Sequence, residues 1–221
     1  MSHREFKDPL YVQFARIGHA VASPVRIELL DLLAQGEKTV EALAAQSSTG
    51  IKNASAHLRV LRQARLVETR RAGTYVYYRL ADEDVSRFVR ELQRLGRQRL
   101  TEVKQVARQY LDDRDELQPV ALAEFRKRVR EGKVTVIDVR PQDEYAAGHI
   151  PGALSIPLAE LRKRLSAVPK HRDVIAYCRG PYCVLALEAV TLLRKRGIRA
   201  RRFEGGWPAW RLAGHPAATG A

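Results

Sequence analysis

The stretch Val174-Ile175-Ala176-Tyr177-Cys178-Arg179-Gly180-Pro181-Tyr182-Cys183-Val184-Leu185-Ala186-Leu187 decides the reading of the C-terminal half. An apolar run of strand character enters a Gly-Pro loop and leaves it as an amphipathic helix. This layout predicts a thiol at the carboxyl end of a strand, just before a helix N-terminus. Main-chain N–H groups converge there, and the helix dipole adds positive potential. Both favour the thiolate, the nucleophilic form of cysteine. The Cys178 sulfur is therefore expected to be ionised and open to solvent. The chain has two cysteines, and both lie in this loop. If the loop curls around its centre, their Cα atoms come within the disulfide range of about 4.4–6.8 Å. Cys183 then reads as a resolving thiol, with an inert thiol packed under the helix as the other reading.

The segments around the loop alternate between helix and strand. Val120 to Val129 is amphipathic, and Val134 to Val139 is a continuous, mostly β-branched run. Leu154-Ser155-Ile156, Asp173 to Tyr177 and Arg199 to Phe203 read as further strands. Pro157 to Leu165, Tyr182 to Arg196 and Gly206 to Leu212 read as helices. Such alternation predicts an α/β domain with a parallel sheet flanked by helices. Ligands of such sheets bind beyond the carboxyl ends of the strands, where Cys178 sits. Asp138 and Arg140 end the first strand and are expected to form an ion pair that braces the loop. Arg179 is expected at the loop mouth, where it attracts anions, with Gly180 and Tyr182 completing the rim. His149 reads as a hydrogen-bonding turn residue, and Trp207, Trp210 and Phe203 as packing.

The N-terminal half is mainly helical. Ser23-Pro24 starts a helix that ends at Gln35-Gly36. Thr39 caps a short second helix, Ser47 to Gly50 turn, and a third helix runs from Ile51 to Gln63. Leu66 to Arg70 and Tyr75 to Arg79 then form a hairpin. Helix, turn, basic helix and basic hairpin describe a winged helix-turn-helix. The basic helix carries Lys52, Asn53, Ser55, His57, Arg59 and Arg62 as candidate DNA contacts, with Leu58 and Leu61 on its buried side. Asn suits adenine, Lys and Arg suit guanine or phosphate, and Ser and His suit phosphate. Arg70 and Arg71 are expected at the hairpin tip, against the adjacent backbone or the minor groove. A net charge of +14 agrees with a polyanionic partner.

From Asp82 to about Leu111 a long striped helix is predicted, too long for one small domain to cover, so a partner helix is expected. The charged stretch Asp112-Asp113-Arg114-Asp115-Glu116 places the boundary between domains 1–112 and 113–221. No signal peptide or membrane-length apolar run is present, and a close thiol pair suits a reducing compartment, so a cytoplasmic protein is expected.

Ser23 to Leu30, Ala54 to Leu61 and Arg70 to Tyr78 resemble the ArsR-type winged-helix repressors. The resemblance implies a homodimer on palindromic double-stranded operator DNA that responds to an inducer. Many relatives carry metal-binding cysteines before the turn. Here Thr39 to Ala44 has none, which argues against thiolate metal sensing there. Ile137 to Arg140, Glu144-Tyr145, Gly148 to Ala153, Tyr177 to Gly180 and Gly205-Gly206-Trp207 resemble the rhodanese family. That resemblance covers about Leu117 to His215 and implies a sulfurtransferase-type domain, with Cys178 in the persulfide-forming position. The loop departs from the family's pattern, which continues to an Arg-Ser or Arg-Thr pair. Cys183 and Val184 stand there, and Pro181 removes one N–H, which weighs against efficient thiosulfate turnover.

Together these features describe a DNA-binding transcriptional regulator that senses sulfane sulfur (persulfide, polysulfide or thiosulfate) or other thiol-reactive species through Cys178 and Cys183. No cofactor and no metal site is implied. Two other readings stay open: a sulfurtransferase enzyme acting through a Cys178 persulfide, with the DNA-binding domain localising or regulating it, and a sensor of arsenicals or thiophilic metals.

Overall fold

The structure, a computed structural model, describes residues 3–111, 118–169 and 171–220. It separates into two compact units, Met1–Leu92 and Gln93–Ala221. The stretch Asp112 to Glu116, where the sequence places the domain boundary, lies outside the described residues.

The first unit is built from helices α1 (His3–Val21), α2 (Pro24–Leu33), α3 (Val40–Gln46) and α4 (Ile51–Gln63) and strands β1 (Lys38–Thr39), β2 (Val67–Ala72) and β3 (Tyr75–Leu80). Pro24 opens α2, where its missing N–H costs nothing. Thr39 caps α3 by accepting from the Ala42 N–H at 3.3 Å. β2 and β3 form an antiparallel hairpin that turns at Gly73, whose φ of +58° suits glycine. β1, too short to be marked by any sequence pattern, adds to β3 as a third strand. Ala54, Leu58 and Leu61, spaced four and three residues apart, bury one side of α4. Leu58 and Leu61 join Leu29, Leu30, Leu33, Leu43 and Val85 in one core.

The long helix expected from Asp82 is two helices, α5 (Glu83–Arg99) and α6 (Thr101–Tyr110). Leu100 leaves helical geometry, with φ −102° and ψ 114°. Gly96 lowers helix propensity, and Leu95 and Leu100 are exposed, so little packing holds the helix through. Leu95, Leu100, Val106 and Tyr110 stay exposed.

The second unit holds a four-stranded parallel sheet in the order β5-β4-β6-β7. The strands are β4 (Val134–Asp138), β5 (Leu154–Ser155), β6 (Asp173–Tyr177) and β7 (Ala200–Arg202). Helices α7 (Leu122–Arg130), α8 (Gln142–Ala147), α9 (Leu158–Leu161), α10 (Leu185–Arg194) and α11 (Gly206–Leu212) flank it. Helix α9 is shorter than expected and is followed by a 3-10 turn at Leu165–Ala167. Side chains alternate across the sheet. Ile137, Val174, Ala176 and Cys178 pack with Ala186, Val190 and Leu193 of α10. Val136, Ile175 and Tyr177 pack on the opposite face with Phe125, Phe203, Trp207 and Trp210.

Candidate functional site: a two-thiol loop and a basic helix

The loop from Cys178 to Val184 joins β6 to α10 at the carboxyl edge of the sheet. Its first thiol is not where the sequence suggests. The alternation Val174, Ala176, Cys178 directs the Cys178 side chain beneath α10, and the residue is only 1% exposed. Burial, followed by the neighbouring Cys183, pushes the Cys178 thiol well above the ordinary thiol range, against the pull of the Ala186 and Gly180 N–H groups. The expectation of an ionised sulfur open to solvent is therefore corrected. Main-chain donors do converge on it, but desolvation outweighs them.

Cys183 is the partly exposed member of the pair. The hydrogen bond from Cys178 lowers its thiol to about 7; the Arg179 and Leu185 N–H groups and the Arg179 charge act the same way, against desolvation. Cys178 Sγ also points at the Cys183 carbonyl, 3.4 Å away. Both cysteines are free thiols. The negative charge is therefore favoured on Cys183 when one of the two thiols ionises.

Arg179 is less open than expected. Its Nε lies 3.0 Å from each Glu144 carboxylate oxygen, and a terminal nitrogen lies 2.6 Å from Oε1. The Glu144 side chain is fully buried and that of Arg179 is 23% exposed. Sequence reasoning alone misses this role of Glu144. A charged residue in the first turn of a short buried helix is the available signal, since buried charges are paired.

Asp138 and Arg140 form an ion pair at 2.6 Å with both side chains fully buried. Arg140 also donates to the Gly148 carbonyl at 2.7 Å and lies over the rings of Tyr177 and Trp207. Trp207 in turn donates its main-chain N–H to the Cys178 carbonyl at 2.9 Å. The pair therefore reaches the thiol loop through Trp207. Gly206 makes this approach possible. Its φ is +60°, and a Cβ there would lie 2.4 Å from the Cys178 carbonyl oxygen and 2.5 Å from the Gly180 nitrogen. Gly180 closes the loop by accepting from the Cys183 N–H at 3.2 Å, and Tyr182 is exposed on the rim. His149 stacks on Tyr145 and exchanges main-chain hydrogen bonds with Ala218. Among the described residues no group of three or more His, Cys, Asp or Glu side chains could hold a metal ion.

The candidate DNA contacts lie in the first unit. Lys52, Asn53, Arg59 and Arg62 are exposed on α4, while Ser55 and His57 are partly buried. Asn53 donates its side-chain amide to the Thr49 hydroxyl at 2.9 Å, which orients it beside the turn. Arg71 is exposed near the hairpin tip, but Arg70 folds back onto Glu37, donating from Nε and one terminal nitrogen, and lies over Tyr77. Arg70 thereby holds the Glu37 carboxyl below its usual range. No helix among the described residues is long and apolar enough to cross a membrane.

Comparison with known proteins bears on both units. The arsR family of bacterial regulatory proteins matches residues 23–69, and the rhodanese-like domain family matches residues 121–213. The HTH-type transcriptional regulator Rv0324 of Mycobacterium tuberculosis is 45% identical over 215 residues, covering 97% of this chain and 94% of that protein. A sulfurtransferase of Allochromatium vinosum is 37% identical over 84 residues, covering 38% of this chain and 77% of that protein. The solution structure of the homodimeric winged helix-turn-helix DNA-binding domain Mb0332 from Mycobacterium bovis is 44% identical. It covers 46% of this chain and 93% of that one, with a TM-score of 0.42.

Proposed function

The chain belongs to the arsR family of transcriptional regulators and carries a C-terminal rhodanese-like domain, and from that premise we propose that it couples DNA binding to a thiol signal. In this reading residues 1–112 bind double-stranded operator DNA as a homodimer in the cytoplasm. Lys52, Asn53, Ser55, His57, Arg59 and Arg62 face the groove, and Arg70 and Arg71 support the wing. The exposed apolar side chains Phe6, Tyr11 and Phe14 of α1, and separately Leu95, Val106 and Tyr110, support the dimer, because a lone chain leaves each of these groups in water.

Residues 113–221 then form the sensor. Cys178 and Cys183 react with sulfane sulfur, carried by a persulfide or polysulfide, or with another thiol-reactive species. Arg179 tunes the pair, and Asp138, Arg140, Gly180 and Tyr182 support the loop. One observation carries the reading: the chain's only two thiols share one loop and a hydrogen bond, and one of them is lowered to about 7. Such a pair is nucleophilic at neutral pH and can close to a disulfide. Signalling requires that the reacted and reduced loops favour different DNA-binding states, and about 1–3 kcal/mol of coupling suffices.

The test is a gel shift on double-stranded DNA enriched by the protein from a random pool, with and without inorganic polysulfide. The expected result is an affinity change of about fivefold or more that Cys178→Ser and Cys183→Ser abolish. Identical binding curves reject the reading. Turnover of thiosulfate with cyanide as acceptor would point instead to a sulfurtransferase, which the loop's Cys183-Val184 sequence disfavours.

A further inference from the structure

The order in which the two thiols act is written in their surroundings. Cys178 is sealed under α10, with 1% of its surface exposed, and its Sγ faces the Cys183 carbonyl at 3.4 Å. It therefore offers a reagent in solvent almost no surface. Cys183 lies at the rim, partly exposed, between the exposed residues Tyr182 and Val184. The N–H groups of Arg179 and Leu185 and the Arg179 cation stabilise negative charge on its sulfur. Arg179 is itself held by Glu144, so this positive charge stays in place before any ligand arrives.

We infer that Cys183, not Cys178, attacks the incoming electrophile, and that Cys178 is the resolving thiol. This reverses the order that the loop position of Cys178 implies. It also assigns a purpose to burial: a sealed thiol escapes direct modification yet remains beside the adduct formed on its neighbour.

With a hydropersulfide RS–SH as donor the steps balance. The Cys183 thiolate attacks the outer, sulfane sulfur; a Cys183–sulfur bond forms, the RS–S bond breaks, and RS⁻ leaves. Cys178 then attacks the Cys183 Sγ of the new Cys183–S–SH group. The Cys178–Cys183 disulfide forms, the terminal S–S bond breaks, and hydrosulfide leaves with the Cys178 proton as H2S. Two thiols are oxidised by two electrons, and the sulfane sulfur takes both. This sulfur chemistry rests on the function proposed above; the order of the two thiols does not.

The experiment uses the reduced full-length protein in two arms. In the first, limiting iodoacetamide is applied and the labelled cysteine is mapped by peptide mass. The expected outcome is labelling of Cys183 over Cys178 by about tenfold or more at neutral pH, with a rate that rises through an inflection near 7. Predominant labelling of Cys178 overturns the inference. In the second, glutathione hydropersulfide is added to Cys178→Ser and Cys183→Ser, and intact mass is followed in time. Cys178→Ser is expected to gain and keep one sulfur atom, and Cys183→Ser to gain it about tenfold more slowly than Cys178→Ser. The opposite pattern overturns the order. Wild-type protein that ignores the hydropersulfide while iodoacetamide still selects Cys183 removes the sulfane-sulfur reading and leaves the order standing.

Discussion

Glu144 and Arg179 are joined by a two-pronged ion pair, with contacts of 3.0 and 2.6 Å, that ties helix α8 to the thiol loop. The carboxylate is fully buried and the guanidinium is mostly covered. The arginine at the loop mouth is thus part of the scaffold as much as of the surface. It tunes Cys183 by a fixed charge and is not a free hand for an anionic donor.

Removing the carboxylate takes the Glu144 counter-charge away from a partly buried cation. Breaking a fully buried pair costs about 3–5 kcal/mol, and the exposure of Arg179 reduces this to roughly 2 kcal/mol for Glu144→Gln. Urea denaturation of the full chain measures it through the midpoint of the second unit. Freed of its counter-ion, Arg179 is also expected to lower the Cys183 thiol further, so the iodoacetamide rate profile shifts to lower pH. An unshifted profile would show that the cation does not act on this sulfur.

Gly206 tests the close approach between α11 and the loop. In Gly206→Ala the new methyl meets main-chain atoms of Cys178 and Gly180, which no side-chain rotation relieves, and φ is +60°. A loss of about 2 kcal/mol or more is expected, together with weaker selectivity between the two thiols. Wild-type stability in this variant would mean that the helix and loop separate freely.

The thiol pair predicts how stability depends on pH. Cys183 is lowered in the folded state to about 7 from an ordinary 9.0. Its stabilising contribution is therefore fully present above about pH 9 and is lost as pH falls through 7. Cys178 is raised, so its contribution stays constant below its unfolded value and declines only at higher pH. Between pH 7 and 9 the reduced protein should gain about 1–2 kcal/mol from this pair, and Cys183→Ser should lack that gain. Urea midpoints at matched ionic strength decide it; parallel curves for the two proteins would refute the assigned charge.

On DNA, Arg59→Ala and Lys52→Ala separate gripping from reading. Each side chain is exposed on α4. If the side chain grips phosphate, its removal weakens binding to all sequences alike and lowers the slope of log affinity against log salt by about one. If it reads a base edge, its removal costs about 1–3 kcal/mol at one position of the site and relaxes preference there. Affinity and salt slope measured on the selected DNA distinguish the two, and a variant with neither change lies off the interface.

Helix α4 was legible in the sequence, expected from about Ile51 to Gln63 and found there, because Leu58 and Leu61 mark one face and polar residues the other. Strands β4 and β6 were legible because β-branched runs buried on both faces leave few other structures. The break at Leu100 was not, since the apolar spacing continues across it and only the absence of packing ends α5. Nor was the fold-back of Arg70 onto Glu37, a contact between residues 33 positions apart.

Local pattern alone determined that a winged helix precedes a parallel α/β sheet and that both thiols sit where a strand hands over to a helix, because periodicity and turn chemistry are short-range. Which sulfur meets water and which bears the charge was decided only in three dimensions. Solvation and potential at an atom sum over everything near it, and here those neighbours include α10 above Cys178, Glu144 behind Arg179 and Gly206 beneath the loop.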